Sequence, residues 1–147
     1  MSTAARTLQV SHQYRASIER VFDAWLDPIT AGQWLFSTPT GEIVRMEIDA
    51  RVGGRFVIVE KRDGVDVEHI GEYLEIDRPR RLVFTFGVPT YDPTYSTTVT
   101  LDLVTTSDGG CILTLTHEGV NQDYWTQTGN GWTTMLANLD ATVNASA

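Results

Sequence analysis

The chain holds a single cysteine, Cys111, so no intrachain disulfide framework can form, and that usage fits a reducing compartment. Lysine and arginine are missing from everything after residue 81. All 11 Lys and Arg lie between Arg6 and Arg81, while Asp92, Asp102, Asp108, Glu118, Asp123 and Asp140 occupy the base-free remainder. A chain of formal charge -8 with this distribution is poorly suited to phosphate backbones or anionic membranes, so neither nucleic acid nor a membrane is an expected partner. No apolar run approaches the roughly 18 residues that suggest a membrane span. The opening MSTAARTLQVSHQY has neither a basic segment nor a continuous apolar one of the kind a secretory signal needs. A cytoplasmic location is the expectation.

Standard catalytic spacings are also missing. There is no Gly-x-Ser-x-Gly, no Cys–His pairing and no dinucleotide fingerprint. Gly53-Gly54 lacks a following Lys-Ser/Thr and reads as a tight turn between strands rather than a phosphate cradle. His117-Glu118-Gly119 is not HExxH, and His12 and His69 are distant in sequence, so neither a metal site nor a cofactor is expected. Cys111 has no adjacent base and reads as a small apolar side chain. Glu68, Glu72 and Glu75, close together in one segment, read as solvated charges rather than paired catalytic carboxylates.

What is present is a pattern of 147 residues, 41% of them hydrophobic, consistent with one domain and a real core. Residues 7–16 alternate, with Leu8, Val10, His12 and Tyr14 on one face of a strand. Ser17 can cap a helix bearing Val21, Phe22 and Trp25, and Asp27 can cap a second, short helix with Pro28 at its first position. That helix delivers Trp34, Leu35 and Phe36 before the turn-like STPTG. Strands are then expected at 42–49, 55–62, 65–77, 81–86, 94–106 and 111–119, separated by Gly, Asp and Pro turns. In the last pair Val99, Leu101 and Leu103 share one face, as do Cys111, Leu113, Leu115 and His117. The period then changes: Trp125, Trp132, Leu136, Leu139 and Val143 form one stripe of an amphipathic helix. The sum is an α+β fold, a curved antiparallel sheet of six to seven strands with two short helices and a long C-terminal helix that leaves room for a cavity.

Six short segments in order carry a family likeness: ASIERVFDAWLDP (16–28), QWL (33–35), ARVGGRF (50–56), GEYLEIDRPRRLVFTF (71–86), LTLTHEGV (113–120) and GWTTML (131–136). They resemble the START-like, or SRPBCC, superfamily with its helix-grip fold, and within it the branch named after the activator of the 90-kilodalton heat-shock protein's ATPase. The likeness covers about residues 7–143, nearly all of the 1–147 unit. It implies an apolar pocket between the curved sheet and the last helix, where superfamily members take lipids, sterols, polyketides or plant hormones. The lining it implies here is Trp34, Phe36, Phe56, Tyr73, Phe84, Phe86, Leu101, Leu115, His117, Trp132 and Leu136. Two departures are visible: Trp34-Leu35 replaces a usual double aromatic, and the last helix is rich in Thr and Asn.

His117 has two readings, a polar handle at the pocket end or a buried ring satisfied by a backbone or hydroxyl partner. Tyr73 is either a pocket hydroxyl or a half-buried strand tyrosine. Three functions follow. The first is a module holding a hydrophobic small molecule between sheet and helix. The second is a cyclase-, dehydratase- or hydrolase-type enzyme using the same pocket, with His117 and Tyr73 as acid/base candidates. The third is a co-chaperone-like partner, and a homodimer is compatible with any of them. The stretch G-N-G-W (129–132) breaks helix rules, since each glycine costs roughly 1 kcal/mol there. Gly131 is expected to let the backbone approach a strand or the short helices while Trp132 turns inward. Gly129 is expected to mark a kink or a late start of the helix, with 121–130 as a looser lid.

Overall fold

Local signals set the first elements. The Ser17 hydroxyl accepts from Arg20 N at 3.2 Å and starts α1 (Ile18–Asp23), a cap worth about 1 kcal/mol. Asp27 does the same for α2 (Pro28–Ala31), accepting from Ile29 N at 3.2 Å and from the Thr30 hydroxyl at 2.8 Å. The structure, a computed structural model, describes residues 5–36, 38, 40–90 and 96–145. Around the two helices run β1 (Ala5–Tyr14), β2 (Glu42–Ile48), β3 (Arg55–Arg62), β4 (Val65–Asp77), β5 (Arg81–Phe86), β6 (Thr97–Thr105) and β7 (Cys111–Asn121). A 3-10 turn (Gln122–Tyr124) leads into α3 (Trp125–Ala145). The expected strand from residue 94 is seen from Thr97; Thr94 and Tyr95 lie outside the described residues, as do Ser37 and Pro39 of the STPTG turn.

The seven strands form one antiparallel sheet in the order β1-β7-β6-β5-β4-β3-β2. The alternation expected in the β6–β7 hairpin holds: Leu101 faces Leu115, Leu103 faces Leu113 and Val99 faces His117, each at most 2% exposed. Register shifts in β1, β2 and β4 add the local twist that bends such a sheet. The helices cover its inner face, so this is an α+β helix-grip fold. Among the described residues, no helix is long and apolar enough to cross a membrane.

α3 lies along β1 and β7. Trp132, Leu136, Leu139 and Val143 are all buried on its inner stripe, each ring or branch contributing roughly 2–3 kcal/mol. Polar pins fix its height: Tyr14 donates its hydroxyl to Leu136 O at 3.0 Å, and His12 Nε2 lies 2.8 Å from Asp140 Oδ2. The two glycines behave differently from expectation. α3 begins at Trp125 and runs through both without interruption. A Cβ on Gly131 would meet open space, whereas one on Gly129 would sit 3.3 Å from Leu8 Cδ1. The close approach to a strand is therefore made at Gly129. The helical phase explains it, because 125, 129, 132, 136, 139 and 143 form one continuous stripe and 131 lies about 100° away.

Candidate functional site

Large rings fill the interior beside α1 and α2. Trp25 meets Trp34 edge-on at 4.6 Å, Phe56 meets Phe84 edge-on at 5.5 Å, and Trp25 lies 6.1 Å from Trp132 between ring centres. The void left among Trp25, Leu35, Phe36, Phe56, Tyr73, Leu82 and Phe84 is about 10 Å³, room for one water at most. Trp34, Leu101, Leu115 and Leu136 are fully buried in the core and border neither this void nor the larger cavity described next. Tyr73 is buried against Phe56 and Phe84, and that burial, seconded by the charge of Asp49, pushes its phenol pKa up.

Open space lies instead at the end of the sheet where α3 begins. A cavity of about 580 Å³ opens there, bounded by Phe86, Gly87 and Val88 from the end of β5, Thr97 from the start of β6, and His117, Val120 and Asn121 from β7. Tyr124, Gln127 and Thr128 close it from the helix side, and Arg62 reaches it from the end of β3. Its size falls within the roughly 300–1,000 Å³ of small-molecule sites, and its mix of apolar wall and few polar groups is of the same kind. Of the lining expected from sequence, Phe86 and His117 border this cavity. Phe86 divides it from the packed interior, lying 5.1 Å from Phe36 on one side and 5.6 Å from His117 on the other.

His117 sits in a chain of hydrogen bonds joining three elements. Trp132 Nε1–H donates to His117 Nδ1 at 3.0 Å, and His117 Nε2 lies 2.6 Å from Thr97 Oγ1, which donates to Phe86 O at 2.9 Å. An indole nitrogen only donates, so Nδ1 must accept and the ring proton must be on Nε2. The imidazole is neutral, both nitrogens are engaged, and burial drives its pKa down to about 4. Protonating Nδ1 would turn it toward a second N–H. Tyr73 borders the small void and His117 the large cavity, so the structure does not bring these two candidates together.

A second polar cluster was not picked out by the sequence reading. Glu60 is fully buried on β3, where alternation puts Phe56, Ile58, Glu60 and Arg62 on one face. Its carboxylate accepts from Thr38 N at 2.5 Å, from the Thr38 hydroxyl at 2.9 Å and from Arg62 Nε. Any Cβ on Gly41 would collide with Glu60 Oε2, so that glycine makes room for the carboxylate. His69 lies beside this group, its ring stacked on Phe36 at 4.5 Å and its Nδ1–H donating to Ile58 O at 3.1 Å. Burial, helped by the Arg62 charge, lowers its pKa to about 4. The usable signal was a carboxylate in phase with Phe56 and Ile58. Among the described residues, no group of three His, Cys, Asp or Glu is placed to hold a metal ion.

Comparisons with known proteins agree with this architecture. Protein CV1439 from Chromobacterium violaceum is 27% identical, with a TM-score of 0.82 over 93% of this chain and 96% of that one. The AHSA1-like protein from Aeromonas hydrophila shares the fold at 22% identity and a TM-score of 0.81, over 96% and 94% of the two chains. SA2116 from Staphylococcus aureus, a protein of unknown function, shares it at 18% identity and a TM-score of 0.86, over 98% and 96%. Among curated proteins none matches the sequence. The family model described as activator of Hsp90 ATPase homolog 1-like protein matches residues 15–144. With nearly the whole chain matched and the helix-grip fold in place, the protein belongs to the activator of Hsp90 ATPase homolog 1-like family.

Proposed function

We propose that this protein binds a small molecule with an apolar body in the cavity at the start of α3. The observation that carries this reading is the 580 Å³ of open space beside the hydrogen-bonded His117–Thr97 pair, next to an interior that the described aromatic rings leave only about 10 Å³. Phe86, Val88, Val120 and Tyr124 supply apolar surface, while Thr97, Asn121, Gln127 and Thr128 supply a few directional groups. The same geometry favours binding over proton-transfer chemistry. The lone pair a general base would use, His117 Nδ1, is occupied by Trp132, and Tyr73 borders a different space.

Native mass spectrometry of protein purified from cells, followed by a thermal-shift screen of apolar compounds, tests the reading. A ligand at 100 times its Kd adds about 2.7 kcal/mol, or roughly 8 °C for a chain of this size. Thr128→Trp, which places an indole in the cavity, should abolish both retained mass and shift while leaving the unliganded melt close to wild type. Ligand binding that survives Thr128→Trp would place the site elsewhere and overturn the proposal.

A further inference from the structure

We propose that the ligand of this cavity is an organic acid whose carboxylate is received by Arg62; the inference rests on the cavity being the binding site. Among the described residues, Arg62 is the one cation bordering that space, and no aspartate or glutamate borders it. It is also held in place. Its Nε donates to Glu60, whose carboxylate is fully buried, is fixed by two bonds from Thr38, and fits only because position 41 is glycine.

Holding Nε in this way uses one edge of the guanidinium and leaves the other. Among the described residues, neither terminal nitrogen of Arg62 has a hydrogen-bond partner, and its side chain is 30% exposed at the cavity wall. Two parallel N–H groups on a rigid planar fork match the two oxygens of a carboxylate, a geometry that a lone ammonium lacks. Glu60 therefore acts as a positioning residue, aiming Arg62 without itself reaching the cavity. The surrounding charge sharpens the point. In a chain of net charge -8, an inward-facing arginine fixed by a buried carboxylate costs desolvation that exposed packing would not require. Beyond the fork, Phe86, Val88 and Val120 offer a ring or an alkyl chain an apolar wall. The ligand class is thus an amphiphile, a carboxylate head on an apolar body, which a fatty acid or an aromatic acid satisfies equally.

Isothermal titration with four probes separates these possibilities: decanoate and 2-naphthoate, each against its neutral primary amide. Wild-type protein should bind at least one acid about tenfold or more tightly than its amide, the margin expected of a charge-assisted bidentate pair. The acid that does so tells alkyl from aromatic bodies. Arg62→Gln should erase the preference by weakening the acid and leaving the amide unchanged. Arg62→Lys, which keeps a donor for Glu60 if the glutamine variant fails to fold, should retain only part of it. Equal affinity for acid and amide in the wild type, or no binding of either acid, would overturn the carboxylate assignment while leaving the cavity reading intact. An acid preference that persists in Arg62→Gln would do the same. Binding of these probes that Thr128→Trp leaves unaltered would overturn both.

Discussion

Acid should unfold this protein earlier than its surface charges alone would, because two buried histidines must then be protonated. His117 and His69 are 2% and 4% exposed, and burial drives both from 6.5 to about 4. The unfolded chain takes up protons near pH 6.5 that the folded chain refuses. Stability contributed by each ring is therefore full above 6.5, falls as the pH drops from 6.5 to 4 by up to about 1.4 kcal/mol per unit, and levels off below 4. At pH 5 the loss relative to pH 8 is about 2 kcal/mol per histidine, or about 4 kcal/mol for the pair. Against the roughly 5–15 kcal/mol of an ordinary domain, that is decisive. Glu47 and Asp108, held below the usual carboxylate range by Arg45 and Thr106 respectively, act only at lower pH and leave this window to the histidines.

Urea unfolding followed by tryptophan fluorescence, at steps from pH 8 to 4.5, measures the slope directly. In His117→Gln about half of it should vanish, and nitrogen NMR of the wild type should find the His117 proton on Nε2. A free energy of unfolding that is flat between pH 7 and 5 would refute the reasoning. So would a slope that survives His117→Gln undiminished, since the hydrogen bonds from Trp132 and to Thr97 would then not be holding the ring neutral.

Four further substitutions test the packing. Gly131→Ala should stabilise the protein by about 1 kcal/mol in chemical denaturation, because its Cβ meets open space in a helix interior, whereas Gly129→Ala should gain little or nothing against Leu8. Gly41→Ala should lower stability by about 2 kcal/mol through collision with the Glu60 carboxylate, and the penalty should shrink in a Glu60→Ala background, as a double-mutant cycle would reveal. Tyr14→Phe should cost about 1 kcal/mol by removing the bond to Leu136 O, with the fold otherwise unchanged by circular dichroism.

Features carried by local chemistry were readable in the residues. Ser17 and Asp27 announce the first two helices because capping acts within three residues, and the β6–β7 face could be read because alternation needs only one strand. In β3, Val57 and Val59 obscure the alternation that places Glu60 and Arg62 inward beside Phe56 and Ile58. Its partner Thr38 lies 22 residues earlier in a connection that no periodicity describes. Thr97, His117 and Trp132 come together only through register, because β6 and β7 must pair as they do before His117 can lie between a threonine and the helix. Gly129 is in phase with Trp132 and Leu136 whereas Gly131 is not, so the helical period alone marks Gly129 as the glycine that meets a neighbour.

The position of the cavity follows from where the large side chains are spent. A helix-grip sheet leaves a fixed gap beneath its long helix, and rings of 150–250 Å² each close that gap quickly. Here Trp25, Trp34, Phe36, Phe56, Phe84 and Trp132 form one connected set of ring contacts, each ring within 6.3 Å of at least one other, so the gap beside α1 and α2 is nearly filled. Where small residues take over, at Gly87, Val88, Thr97, Val120 and Thr128, space remains. The relay from Trp132 through His117 to Thr97 stands at that boundary, anchored on one side in the packed rings and facing the cavity on the other. A change at Trp132 should therefore reach a cavity wall that Trp132 does not itself form, because releasing Nδ1 frees the imidazole to turn and removes the constraint that keeps the Thr97 hydroxyl aimed at Phe86 O.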